Sequence, residues 1–152
     1  MRAVIQRVTE ASVTVDGQII SKIGPGLLCL IGIKDTDTTT DIDWIAKRLL
    51  NIRVWPDEED QRKGWSKSVV DKNYQILCVS QFTLCGRIRN GNKPDFSKAM
   101  KPGEAKQVYI AFLDRLKLGL GEDKVFDGVF GAMMSVSLVN DGPVTFTISS
   151  DE

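Results

Sequence analysis

Two pieces of turn punctuation divide the first third of this chain into segments too short to be anything but strands. Brief apolar runs at residues 3–8, 12–15, 19–23 and 27–33 are punctuated by Asp16-Gly17 and by Gly24-Pro25-Gly26. Asp-Gly between alternating apolar runs is a hairpin signal, and a Gly-Pro-Gly cluster interrupts both helix and strand. The opening thirty-odd residues are therefore expected to be mostly sheet. That start restricts the rest of the chain to elements that can cover or extend a sheet.

The following segment changes period. Ile42, Ile45, Leu49 and Ile52 recur at helical spacing behind a Thr-rich lead-in, with Thr40 and Asp43 arranged as a capping box, so a helix is expected to run to about Asn51. Residues 53–55 read as a short strand stopped by Pro56, and residues 56–64 as an exposed polar loop. A strand is expected over 74–84, a loop over 85–95, and a second helix from Pro102 to about Leu118 carrying Ala105, Val108, Tyr109, Phe112 and Leu116 on one face. Gly119-Leu120-Gly121 ends it, and strands are expected at 125–130, 133–139 and 144–148. The whole pattern predicts one α/β domain over residues 1–152, with layered mixed sheets and two main helices packed on one face.

Composition narrows the chemistry. The 152 residues include no histidine, which removes the usual general base near neutral pH, the Ser-His-Asp triad and any His-ligated metal. No metal or other cofactor is expected. The cysteines Cys29, Cys78 and Cys85 form no CxxC pair, and the first two sit in apolar strand runs as small core residues. Cys85 follows a polar string, yet no imidazole is available to activate it as a nucleophile. No apolar run reaches the ~20 residues needed to span a membrane, and residues 1–8 lack the apolar stretch of a secretory signal, so a cytoplasmic location is expected. Formal net charge is zero, which argues against a strongly electrostatic nucleic-acid binder. Charge is nevertheless uneven. Arg87, Arg89, Lys93, Lys98, Lys101 and Lys106 face only Asp95 and Glu104 in that stretch, and acidic residues concentrate at 57–60. This is either a local basic face or a solvated loop and helix entrance.

Two strings stand out. Ser80-Gln81-Phe82-Thr83-Leu84 continues an apolar strand without a break, and buried polar groups require partners. They reach a sheet edge, or they line a pocket in which strand-end N–H groups and hydroxyls could serve an oxyanion or a water. Asn140-Asp141-Gly142-Pro143-Val144-Thr145 consists of ordinary turn residues, with the oddity that Pro143 opens a strand. Sequence alone gives no reason to assign a cis bond there, since X-Pro bonds are cis in only about 5–6% of folded cases.

Together the strings resemble the two signature motifs of the D-aminoacyl-tRNA deacylases, Ser-Gln-Phe-Thr-Leu and Asn-x-Gly-Pro-x-Thr. The resemblance extends through Gln6-Arg7-Val8, Gly91-Asn92-Lys93-Pro94-Asp95-Phe96 and Phe130-Gly131-Ala132-Met133, in order along the chain. It implies a homodimeric enzyme that hydrolyses the ester of D-aminoacyl-tRNA, and of glycyl-tRNA mischarged on non-cognate tRNA. It implies that a Gly-cisPro dipeptide, here Gly142-Pro143, enters the partner's pocket and rejects L-amino acids. Catalytic positions would be Ser80, Gln81, Phe82 and Thr83. Substrate-binding positions would be Arg7, Met133, Asn140, Gly142, Pro143 and Thr145, with Arg7 orienting the dipeptide's carbonyl unless it is a snorkelling surface cation. The basic residues Arg87, Arg89 and Lys93 would meet the acceptor stem of aminoacyl-tRNA. Oxyanion stabilisation by backbone N–H groups near Phe82 and Thr83 is expected, against the sharper alternative of Thr83 as a covalent nucleophile. Two competing readings are a related deacylase acting on certain mischarged L-amino acids and a noncatalytic DNA-binding protein.

Overall fold

Strand β1 (Arg2–Val15) organises the molecule because it has ladder partners along both edges. The computed structural model describes residues 1–89 and 91–152. Along one edge β1 pairs antiparallel with β2 (Gln18–Ile23) and β3 (Gly26–Gly32); along the other it pairs antiparallel with β6 (Ser135–Ser149). β3 then pairs in parallel with β4 (Gln75–Ser80), and β4 with β5 (Val125–Asp127). The result is a mixed six-stranded sheet, nearly barrel-like, with helices α1 (Thr39–Asn51) and α2 (Pro102–Leu120).

β3 explains how the layers form. Its residues are buried on both faces, which is why Leu27 to Ile31 reads as continuous apolar sequence rather than an alternation. Leu27, Cys29 and Ile31 meet Ile45 and Leu49 of α1 and Tyr109, Phe112 and Leu116 of α2 in one core. Leu28 joins Val8, Val13, Ile23, Leu77 and Val79 in a second core on the opposite face. Each fully buried aliphatic or aromatic side chain contributes roughly 1.5–3 kcal/mol, so these two layers fix the sheet between them. Both main helices lie on the face of the first core, as the sequence predicts. Among the described residues, no helix is long and apolar enough to cross a membrane.

Several boundaries differ from expectation for identifiable reasons. The runs at 3–8 and 12–15 are one continuous β1, because β6 pairs across the polar interruption at Thr9-Glu10 with register shifts. Helix α1 is capped two residues earlier than Thr40: the Asp41 carboxylate accepts from the Thr38 N–H at 2.7 Å and the Thr38 hydroxyl at 3.0 Å. Asp43 instead meets Arg115 of α2 at 2.7 Å. The strand expected at 53–55 is a single bridge, Trp55 to Lys67, since Pro56 cannot extend a ladder. The strand expected over 74–84 stops at Ser80 and gives way to a 3₁₀ turn, Phe82–Cys85. The last two expected strands are one, because residues 140–144 stay within β6.

Candidate functional site

The first motif sits where β4 ends. The Gln81 N–H still follows the sheet, donating to the Ile31 carbonyl at 2.7 Å, and the chain then tightens into the 3₁₀ turn. Gly32 makes room for that turn: a Cβ there would lie 2.8 Å from Leu84 Cβ and 3.2 Å from the Gln81 carbonyl. Arg2 pins it from β1 by donating to the Leu84 carbonyl at 2.9 Å. The first two amides of such a turn, those of Phe82 and Thr83, have no acceptor within it, so they are donors on offer. Gln81 Nε2 donates to Thr83 Oγ1 at 2.5 Å, which holds the hydroxyl as an acceptor beside those amides. Phe82 and Thr83 are exposed, whereas Ser80 and Gln81 are half-buried.

Cys85 closes the turn but is buried, and burial raises its thiol pKa. It has neither the access nor the ionisation of a nucleophile. The buried Tyr109 hydroxyl donates to the half-buried Asp127 carboxylate at 2.7 Å, outside both motifs. There burial raises the carboxyl pKa of Asp127.

The second motif is a bulge, and its register defines it. Gln6 pairs with Thr145 and Val8 with Asn140, so Arg7 alone on β1 stands opposite the four residues 141–144 of β6. The surplus backbone is pushed out of the ladder. Gly142 has φ +121° and the Gly142-Pro143 bond is cis. Gly142, Pro143, Asn140 and Thr145 are exposed, while Asp141 and Val144 are half-buried. Arg7 Nε lies 3.2 Å from both the Asp141 carbonyl and the Asp141 carboxylate, and Arg7 Nη1 donates to the Val54 carbonyl. Arg7 is thus an inward-turned clamp at the foot of the bulge, gripping the peptide unit just before Gly142. Sequence reasoning had linked Arg7 to the dipeptide but missed Asp141, Val54, Gly32 and Arg2. All four act through contacts between residues far apart in sequence, for which the sequence carries no local signal.

The two motifs occupy different levels of the same sheet. Arg2, beside the 3₁₀ turn, and Arg7, beside the bulge, are five residues apart on β1, or about 16 Å at strand rise. Among the described residues, no hydrogen bond or ion pair joins the 80–83 string to the 140–145 string. Met133 is 93% exposed, in the connection leading into β6. Arg87 is half-buried, whereas Arg89 and Lys93 are exposed on the loop after the 3₁₀ turn; Asn90 of that loop lies outside the described residues. A groove of about 720 Å³ against α1, lined by Trp44, Lys47, Arg48, Asn51, Ile52, Ile148 and Glu152, includes none of these candidates.

Comparison with known proteins gives the lineage. Residues 4–149 match the family described as D-Tyr-tRNA(Tyr) deacylase. A protein of Drosophila melanogaster called D-aminoacyl-tRNA deacylase is 51% identical over 152 residues, covering 100% of this chain and 94% of the relative. A solved structure described as c-Myc DNA Unwinding Element Binding Protein superposes with a TM-score of 0.93 at 49% identity, covering 99% of each chain. Another, described as a probable eukaryotic D-amino acid tRNA deacylase, shares the fold with a TM-score of 0.83 at 17% identity, covering 97% of each chain. With a family match spanning nearly its whole length and half of its residues identical to a full-length relative, the chain belongs to the D-Tyr-tRNA(Tyr) deacylase family and is a hydrolase.

Proposed function

We propose that the chain hydrolyses the ester joining a D-amino acid to the 3′-terminal adenosine of tRNA, releasing free tRNA and the amino acid. It acts as a cytoplasmic homodimer in which Gly142-Pro143 of one copy completes the pocket around the 80–83 string of the other. One observation carries this reading: the bulge projects Gly142 and Pro143 into solvent, without a bond to the turn that offers amides in the same chain. An exposed tip of fixed shape is suited to entering a neighbour, and a twofold pair would receive two such tips.

Chiral selection follows from shape. Backbone carbonyls of the bulge bind the substrate's α-ammonium while the Pro143 ring fills the space an L side chain would need. Exclusion of the wrong partner then supplies the specificity. A D side chain points away to solvent, so many D-amino acids are accepted. Glycine has no Cβ to exclude, so glycyl-tRNA is a substrate too. Asn140 and Thr145 flank the tip, Arg7 orients it, and Ser80, Gln81 and Met133 shape the adenosine pocket.

Catalysis is positional. An aminoacyl ester is already activated, so water held near Thr83 attacks the carbonyl carbon while the Phe82 and Thr83 amides receive the negative oxygen. Collapse of the tetrahedral species breaks the bond to the ribose 3′-oxygen, which takes up the proton given up by the attacking water, relayed through the neighbouring 2′-hydroxyl. Arg87, Arg89 and Lys93 neutralise phosphates of the acceptor stem and thereby position it without reading sequence.

The test is deacylation of D-Tyr-tRNA beside L-Tyr-tRNA. Release of only the D-amino acid supports the reading; equal cleavage of both removes selection by the bulge. A second reading, noncatalytic DNA binding, draws on the description of the 49%-identical structure as a DNA unwinding element binding protein. Tight DNA binding with no hydrolysis of either ester would favour it.

A further inference from the structure

Beside the 3₁₀ turn lies an aromatic surface that the reading above leaves unused. The Phe82 and Phe96 rings meet edge to face, with centroids 5.1 Å apart and planes at 70°. They stay 58% and 37% exposed, although a phenyl pair of this size normally covers itself with core. Their position is built rather than incidental. Phe96 rests against Gly86, where a Cβ would lie 2.8 Å from ring Cε1 and 2.9 Å from the Thr83 carbonyl. The loop carrying Phe96 is closed at its base by reciprocal backbone bonds between Arg87 and Asp95, at 2.9 and 2.8 Å. The Asp95 carboxylate accepts from the Ser97 N–H at 2.8 Å and the Ser97 hydroxyl at 2.9 Å, so the loop's acid is engaged within the loop itself. Arg89, Lys93 and Lys98, within seven residues of one ring or the other along the chain, are exposed.

Exposed rings seated on a fixed turn, in a stretch of chain rich in exposed cations and next to a site proposed to receive a nucleotide end, suit a single-stranded nucleic acid. Its bases stack on aromatic faces while its phosphates meet basic side chains. We propose that the Phe82–Phe96 pair is a stacking subsite for the unpaired nucleobase immediately preceding the terminal adenosine of the tRNA 3′ end. The subsite rests on the deacylase reading and extends it from the terminal nucleoside to the strand behind it. Stacking needs no hydrogen bonds to base edges, so the platform accepts the strand without selecting among tRNAs.

The experiment compares kcat/KM on D-Tyr-tRNA with kcat/KM on 3′-D-tyrosyl-adenosine, which lacks the upstream nucleotide. Phe96→Leu keeps apolar bulk on Gly86 and removes the aromatic face, while Phe96→Trp keeps a face. Phe96→Leu should lower the ratio of the two values by roughly tenfold, and Phe96→Trp should hold it within about twofold of the unsubstituted chain. Equal losses on both substrates would make Phe96 merely structural, and an unchanged ratio would remove the subsite; either overturns the proposal. So would a change in oligomeric state on Phe96→Leu, which would assign the rings to a second copy. If the unsubstituted chain cleaves neither substrate, the deacylase reading itself fails, and the subsite with it.

Discussion

Arg7 Nε stands 3.2 Å from the backbone carbonyl of Asp141 and 3.2 Å from its carboxylate, so one guanidinium grips the residue next to Gly142 by main chain and side chain at once. The guanidinium is largely buried and gives a further bond to Val54, whereas Asp141 is partly exposed. Its value is therefore in geometry more than in ion-pair energy.

Substituting the clamp should accordingly separate activity from stability. Arg7→Lys keeps charge but cannot reproduce the planar fork. Turnover of D-Tyr-tRNA should fall about tenfold or more through misplacement of the tip, while unfolding free energy should drop by only about 1–2 kcal/mol. Steady-state kinetics beside denaturant unfolding would check this. A stability loss with unaltered kcat/KM would reduce Arg7 to a structural bond.

Thr83→Ala should retain measurable hydrolysis, because the amides of the 3₁₀ turn remain when the hydroxyl is gone. The hydroxyl accepts a hydrogen bond from Gln81 Nε2, which does nothing to deprotonate it. Single-turnover kinetics distinguish the cases. Abolished chemistry with intact substrate binding would revive the covalent scheme.

Gly32→Ala tests how the turn is seated. The added methyl would lie 2.8 Å from Leu84 Cβ and 3.2 Å from the Gln81 carbonyl, so the turn must move. A cost of about 1–3 kcal/mol is expected from overpacking, with kcat falling further than the stability loss explains. Thermal unfolding and deacylation on the same sample would check both. Unaltered kcat in a folded variant would show that the position of the turn is not critical.

Acid should remove one defined contribution. Burial raises the Asp41 pKa, but hydrogen bonds from Ser150, the Thr38 N–H and the Thr38 hydroxyl outweigh it and hold the group at about 2. A carboxyl whose folded pKa lies below its ordinary value stabilises fully above that ordinary value, and the contribution is lost as pH falls from about 4 toward 2. The gap in unfolding free energy between the unsubstituted chain and Asp41→Asn should be about 2 kcal/mol near neutrality and shrink across that window. A gap independent of pH would remove the carboxylate's charge from the account.

Replacing Arg87, Arg89 and Lys93 together should weaken tRNA binding and lower the slope of log affinity against log salt by up to about three. An unaltered slope would clear the loop of phosphate contacts.

Local signals carried much of the fold. Asp16-Gly17 marked the hairpin correctly, and apolar spacing located both helices within a residue or two at their ends. What could not be read depended on distant partners. The 3₁₀ turn exists because Gly32 admits it and Arg2 holds it, fifty and eighty residues away in order of magnitude, so an unbroken strand to Leu84 was the natural local reading. Residues 140–145 have turn composition, and only pairing with Gln6 and Val8 makes them a bulge inside a strand. The family resemblance ties Arg7 to the dipeptide, but only the register shows it standing alone opposite that surplus backbone.

The feet of the bulge, Thr145 and Asn140, are fastened to residues only two apart on β1. The loop between them is held by the ladder at both ends and gripped near its start by Arg7, so three contacts set the shape of its tip. A shape set in this way by the strand itself is present before any partner arrives.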